Sequence, residues 1–392
     1  MNLPLGYTYS AVYAGIRKTT KDDLSLIVSE TPASAAGVFT KNLVQAAPVK
    51  LGRQHLRASR GKARAILINA GNANCATRTA DKVALETCRA AARYGHWPVQ
   101  HILPSSTGVI GVDLNSKLIT SALPDLFSGL SADRFDDVAR AIMTTDLVPK
   151  AASAEVPLKD GIVRIAGLTK GSGMIHPNMA TTLGFVMTDA AISPANLAPL
   201  LKTAVNRSYN RLSVDGDMST NDTILLLANG ASGIAPNEKE RKVFAEVLCW
   251  VMEDLAEQVA RDGEGANKCI TIHVTGARTN EDAEKIARAI GNSPLVKTAV
   301  GGSDPNWGRI ICAAGYSGAS FKPENVDIKL QGISVCSKGL AVDFDEDQMK
   351  SKLDTKDCHI RFSIRGKGKG ETQFWTCDFT EGYIRINGSY RT

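Results

Sequence analysis

From residue 237 to residue 261 the chain carries one uninterrupted helical signal, with Phe244, Val247, Leu248, Val251, Leu255 and Val259 on a single stripe and Gly263 as the stop. A helix of that length with one apolar face needs a broad apolar surface to lie on, and a β-sheet supplies one. The sheet is announced elsewhere. Residues 65–70 read as a buried strand ending in a Gly-Asn-Ala-Asn turn, and 82–96 return to helical spacing. Interleaved strands and helices predict a mixed α/β protein.

The pattern changes toward the C-terminus. A second helix is expected over 281–290, behind Thr279, with Asp282 in its first turn and Gly291 as its stop. Short strand signals follow at 326–330, 359–364, 374–379 and 383–386. The Gly- and Lys-rich run 365–370 lies between two of them and reads as a solvated hairpin turn, since it lacks the order of a phosphate-binding loop. These signals divide the chain into a larger unit, 1–280, and a smaller α/β unit, 281–392, closely packed because no low-complexity tether joins them.

Composition removes several function classes. Forty-six basic and 40 acidic side chains leave +6 over 392 residues, too dilute for a nucleic-acid or membrane-surface binder. No apolar run reaches the length of a membrane span, and residues 1–15 lack a leader pattern, so a cytoplasmic protein is expected. Eight cysteines without a CxxC pair predict reduced, mostly buried thiols, and six histidines without metal-ligand spacing predict no metal.

Chemistry is expected in three segments rich in small polar residues: 104–111, 170–182 and 213–223. Such loops let backbone N–H groups converge on an anion, although turn formation is their commoner use. There is no GxSxG elbow and no dinucleotide fingerprint between a strand and a helix. His176 invites a role as general base but has no identifiable partner, so an ordinary polar loop residue is the favoured reading.

The segment Lys170-Gly-Ser-Gly-Met-Ile-x-Pro-Asn-Met-Ala-Thr-Thr resembles the self-cleavage motif of the ornithine acetyltransferase (ArgJ) family. It is accompanied, in order, by Asn69-Ala-Gly-Asn-Ala-Asn-Cys75, Ser106-Thr-Gly-Val-Ile-Gly111, Met143-Thr-Thr-Asp146, the 213–223 loop, Asp262-Gly-Glu-Gly-Ala266, Asp304-Pro-Asn-Trp-Gly-Arg309 and the stretch 383–392. The resemblance covers essentially the whole chain. It implies a mixed-sheet αββα-type sandwich of the ArgJ/DmpA-like type carrying a smaller C-terminal α/β domain. It also implies a precursor that cuts itself between Ala180 and Thr181 into chains 1–180 and 181–392, assembled as α2β2.

The implied reaction moves the acetyl group of N2-acetylornithine onto Thr181 Oγ and then onto glutamate, giving ornithine and N-acetylglutamate. Its physical logic stands apart from the name. A threonine hydroxyl needs an adjacent base, and cleavage frees one in Thr181's own α-amine, with a pKa of about 8 rather than the roughly 10.4 of a lysine. The resemblance assigns the oxyanion hole to Thr107 and Gly108, and substrate contacts to Thr145 (with Thr144 as the alternative), Lys170, Glu264, Asn387 and Thr392. Lys170 suits a carboxylate and Glu264 suits ornithine's ammonium. No cofactor is implied; acetyl-CoA is a candidate second acetyl donor. The other readings are an N-terminal-nucleophile aminopeptidase or amidase, which would give the acyl group to water, and a non-catalytic amino-acid-binding protein.

Overall fold

A computed structural model describes residues 1–176 and 182–389. Eight strands form the first sheet: β1 (Tyr7–Val12), β2 (Leu24–Phe39), β3 (Lys62–Asn72), β4 (Ile102–Val109), β5 (Lys150–Leu158), β6 (Gly161–Lys170), β7 (Leu183–Thr188) and β8 (Thr223–Ala228). Their order is β4-β3-β2-β8-β7-β6-β5, with β1 also on β2. β3/β4 and β7/β8 are parallel pairs and the rest antiparallel, so the sheet is mixed.

The sheet doubles over at β2, whose register breaks between Val28 and Ala33. One core cluster shows the result, because it joins Tyr9, Ile66 and Leu103 from β1, β3 and β4 to Leu168, Phe185 and Leu225 from β6, β7 and β8. Strand alternation sends the intervening residues outward. Leu24, Leu26 and Leu67 pack against the helices Ala80–Gly95 and Ser116–Ser128. On the opposite outer face Ile165, Val186 and Ile224 meet the helices Pro194–Arg207 and Glu238–Arg261. Helix, sheet, sheet, helix: the four-layer sandwich is present.

The long helix of the sequence reading is Glu238–Arg261, opened by a capping box between Asn237 and Glu240. Phe244, Leu248, Val251, Leu255 and Val259 are buried on its stripe, each contributing about 1.5–3 kcal/mol of hydrophobic stabilisation, while Val247 is partly buried at the margin. The helix predicted at 281–290 is Asn280–Gly291, with the Thr279 side chain accepting from the amide of Asp282.

The second sheet comprises β9 (Cys269–Ala277), β10 (Val326–Leu330), β11 (Ile333–Ser337), β12 (Leu340–Ala341), β13 (Asp357–Ile364) and β14 (Gly370–Cys377), ordered β12-β11-β10-β13-β9-β14. β9, which precedes residue 280, lies inside this sheet. Two expectations are corrected here. The run 365–370 is no hairpin turn, because β13 and β14 pair on opposite sides of β9, one parallel and one antiparallel, and the loop crosses the end of that strand. Residues 383–386 are not a strand but part of the helix Glu381–Ser389. Their β-branched and aromatic content is overridden by an anchor: Thr380 Oγ1 donates to Gly265 O at 2.6 Å and accepts from Gly382 N at 3.0 Å.

Among the described residues no helix is long and apolar enough to cross a membrane, and no group of three or more His, Cys, Asp or Glu side chains is placed to hold a metal ion. All eight cysteines are unpaired, and only Cys312 is exposed.

Candidate active site

A cavity of about 210 Å³ opens where the two halves of the doubled sheet meet. β4 brings Thr107 and Gly108 from one half, and β6 brings Lys170 and β7 Leu183 from the other, with Thr182 just before β7. Thr144 and Thr145 enter from the loop before β5, Glu264 from the turn after the long helix, and Tyr383 and Asn387 from the last helix. The chain positions that the sequence analysis singled out from separate motifs thus converge on one space. Ala180, Thr181 and Thr392 lie outside the described residues. His176 does not line the cavity; burial first, and then Arg288, hold its imidazole below the usual range.

Thr107 sits in a strand rather than in the turn its composition suggested. Gly108, at φ +131°, is the position where the strand needs glycine: a Cβ there would stand 2.2 Å from the backbone carbon of Gly71 in β3. Lys170 Nζ donates to Thr107 Oγ1 at 3.2 Å and is buried. Burial lowers its pKa, and the charges of Asp146, Asp222 and Glu264 oppose that shift. The lysine therefore arrives at the cavity close to the hydroxyl proposed as an oxyanion donor. A carboxylate or developing oxyanion here meets both groups.

Three loops around the cavity are locked by a buried ion triad. Lys150 Nζ contacts Asp146 Oδ1 at 2.7 Å and Asp262 Oδ2 at 2.5 Å. Asp146 also accepts from the amides of Gly171 (2.7 Å) and Thr144 (2.9 Å), and Asp262 from that of Leu147 (3.0 Å). Burial alone would raise the Asp146 carboxyl, yet Lys170 and Lys150 hold it at about 2. Ser172 Oγ closes the frame by donating to Asp262 O at 2.6 Å. From the other side Arg17 Nη2 donates to the carbonyls of Ala141 (2.7 Å) and Met143.

Asp215 pins the loop that leads toward the 180/181 junction. Its carboxylate accepts from Met174 N (2.6 Å), Ile175 N (2.8 Å) and Asp217 N (3.2 Å), and Tyr383 OH donates to it at 3.4 Å. Glu264 accepts from Asn387 Nδ2 at 2.7 Å, and Asn387 donates as well to Tyr383 O, one helical turn earlier. Helical spacing, not a strand, is what lets Tyr383 and Asn387 share the cavity.

Two quoted motifs shape loops without lining the cavity. Ser106 Oγ donates to Asn69 Oδ1 at 2.6 Å, and Asn221 Nδ2 bridges Ala73 O and Ser106 O at 2.7 and 2.8 Å, tying the 69–75 segment to the cavity's edge. Asn306 caps the helix Trp307–Gly315 within the 304–309 motif. Lining or framing residues to which the sequence reading gave no individual role are Lys150, Asp215 and Asp222, and Tyr383 entered only as the start of the 383–392 stretch. Asp215 and Asp222 fall within the loop 213–223, marked by its small residues and by the family resemblance but with no role given to either aspartate; Lys150 carried no signal.

Comparison with known proteins gives one answer. The sequence pattern described as the ArgJ family matches residues 8–392. The arginine biosynthesis bifunctional protein ArgJ of Chlorobaculum tepidum is 45% identical over 391 residues, covering 99% of this chain and 96% of that protein. The protein of the same name from Thermotoga neapolitana is 44% identical, with 100% of both chains covered. Among solved structures, the arginine biosynthesis bifunctional protein ArgJ of Bacillus halodurans is similar with 40% identity and a TM-score of 0.51, over 53% of this chain and 98% of that one.

Proposed function

The chain belongs to the ArgJ family, and on that premise we propose that it transfers the acetyl group of N2-acetylornithine to glutamate through an acetyl ester on Thr181, after cutting itself between Ala180 and Thr181. The observation that carries the reading is the convergence of Thr107, Gly108, Thr145, Lys170, Glu264 and Asn387 on one cavity whose wall includes Thr182, the residue after the nucleophile. In this mechanism Thr107 and Gly108 stabilise the oxyanion, Lys170 takes a substrate carboxylate, and Glu264, oriented by Asn387, takes ornithine's ammonium. The freed α-amine of Thr181 accepts the Oγ proton and passes it to the departing ornithine nitrogen.

A length supports the cut. Nearly all of the similar Bacillus halodurans chain is matched, yet it spans only 53% of this one, about the extent of a 181–392 product. The same reading carries acetyl-CoA as a second acetyl donor, the α2β2 assembly, the cytoplasmic location, and the division into a larger and a smaller unit, with β9 counted in the smaller one rather than cut off at 280, because it pairs between β13 and β14.

The test uses purified protein with acetylornithine and glutamate, with and without acetyl-CoA, beside a denaturing gel. Two fragments, glutamate-dependent release of ornithine and parallel double-reciprocal lines are expected. An active wild-type chain that stays uncut at 41.8 kDa would end the mechanism. Release of acetate without regard to glutamate would instead point to a hydrolase.

A further inference from the structure

Freeing an α-amine supplies the base for turnover but not for the cut that frees it. In the intact chain the nitrogen of Thr181 is an amide whose lone pair is delocalised into the Ala180 carbonyl, and it cannot take a proton from the neighbouring hydroxyl. Self-cleavage, if it runs as proposed above, needs a second proton acceptor already present in the folded precursor.

The described cavity wall offers four carboxyl groups, Asp215, Asp217, Asp222 and Glu264. Asp215 is occupied by backbone amides, Asp217 is exposed at the rim, and Glu264 accepts from Asn387. Asp222 differs from all three. It is 2% exposed, and although the Ser219 and Thr40 hydroxyls lie against the carboxyl, its Oδ2 has no hydrogen-bond partner of good geometry among the described residues. Burying a carboxylate oxygen without a partner is costly, and of the four carboxyls on this wall only Asp222 does so among the described residues.

Its position fits the need. β7 and β8 are parallel with Leu183 opposite Thr223, and Thr223 N donates to Thr182 O at 3.0 Å. The residue directly after the junction therefore runs beside Asp222. Burial pushes the carboxyl well above its usual range, and the Ser219 hydroxyl, Lys170 and the Thr40 hydroxyl offset this only in part. A carboxyl shifted toward neutrality is better matched to exchanging a proton with a hydroxyl and an amine than an ordinary one.

We infer that Asp222 is the proton-transfer group of self-cleavage, a role that rests on the Thr181 reading above. Thr181 Oγ bonds to the Ala180 carbonyl carbon while its proton passes to Asp222 Oδ2. The carbon–nitrogen bond then breaks, and the same proton goes to the departing nitrogen, which becomes the α-amine. Water hydrolyses the resulting ester, leaving the carboxyl of Ala180 and the hydroxyl of Thr181.

The experiment follows the 41.8 kDa chain after cell-free synthesis, on gels and by intact mass, for wild type, Thr181→Ala, Asp222→Asn and Asp222→Ala. Wild type should cut and Thr181→Ala should not. Asp222→Asn, checked for a cooperative unfolding transition like that of wild type, should cut about 100-fold more slowly or worse. Formate should restore cutting to Asp222→Ala, which a purely structural aspartate would not allow, and this arm decides the matter should Asp222→Asn fold poorly. Cutting of Asp222→Asn near the wild-type rate, or no recovery of Asp222→Ala in formate, would overturn the inference and leave the Thr181 reading standing. An uncut wild type, or a Thr181→Ala chain cut at the same junction, would overturn the Thr181 reading itself.

Discussion

Lys150 in the sandwich and Lys268 at the edge of the second sheet are both buried, yet they are held by different chemistry. Lys150 has two carboxylate partners, Asp146 and Asp262. Lys268 Nζ donates instead to neutral oxygens, those of Val300 (3.0 Å), Ser303 Oγ (2.6 Å) and Leu353 (2.8 Å). Two of these sit in the last turns of the helices Pro294–Gly301 and Glu346–Leu353, where aligned peptide dipoles favour a cation. One lysine is neutralised by charge and ties loops around a cavity; the other is solvated by dipoles and ties helices to a sheet. A charge pair fixes loops that have no regular backbone bonding of their own, but it leaves two dangerous anions behind if the cation is lost. A dipole cage leaves none.

That contrast can be broken most directly at Lys150. Lys150→Met should strand Asp146 and Asp262 in a buried site, lower stability by about 3–5 kcal/mol and strongly reduce acetyl transfer, read by chemical denaturation and by turnover of the remaining folded protein. A loss smaller than that of the corresponding Lys268 variant would refute the distinction.

Acid should act on the triad next. Asp146 is held at about 2 in the fold against about 3.9 in an unfolded chain, so its contribution is complete above the unfolded value and disappears as pH falls toward 2. The loss is of the order of 2 kcal/mol, measurable as a falling melting temperature below about pH 4. In Lys150→Met the carboxyl loses a cation that holds it down, and the acid limb should move to higher pH. An unmoved limb would show that Lys170 alone sets that value.

Lys268→Met should cost less, about 1–2 kcal/mol, because hydrogen bonds are lost without orphaning a carboxylate. Turnover by the folded fraction should stay at the wild-type level. The smallest effect is expected at Asn387→Ala, which removes the 2.7 Å bond to Glu264 at the cavity wall. It should raise KM for the proposed substrate, acetylornithine, about tenfold, near 1.4 kcal/mol, with little change in melting temperature. An unchanged KM would remove Asn387 from the binding machinery.

How much of this was legible beforehand follows from what each residue depends on. The long helix announced itself because its stripe and its Asn237–Glu240 cap are local. The convergence of Thr107, Lys170, Glu264 and Asn387 was readable only through the family resemblance, since those positions are far apart in sequence. Lys150 was invisible: Asp262, 112 positions away, decides whether it is a surface charge or a buried strut. Asp222 was hidden inside a loop marked by its small residues and by the family resemblance, neither of which picks out one aspartate, and its burial is a property of the neighbours. The misread 383–386 stretch and the misread 365–370 loop have a common cause. Strand propensity names residues that suit a sheet, but adjacency within the sheet, and the anchor at Thr380, are tertiary facts.

The helix Glu381–Ser389 sets an order of events during synthesis. Thr107 and Gly108 leave the ribosome long before Tyr383 and Asn387, and Gly265, whose Cβ would meet Tyr383 N at 2.3 Å, has to wait more than a hundred residues for the partner it is shaped to receive. The sandwich can close early on the nascent chain, but its chamber lacks a wall until translation is nearly complete. Such timing makes the last helix a checkpoint: a chain released short of it has the sheets without a finished pocket.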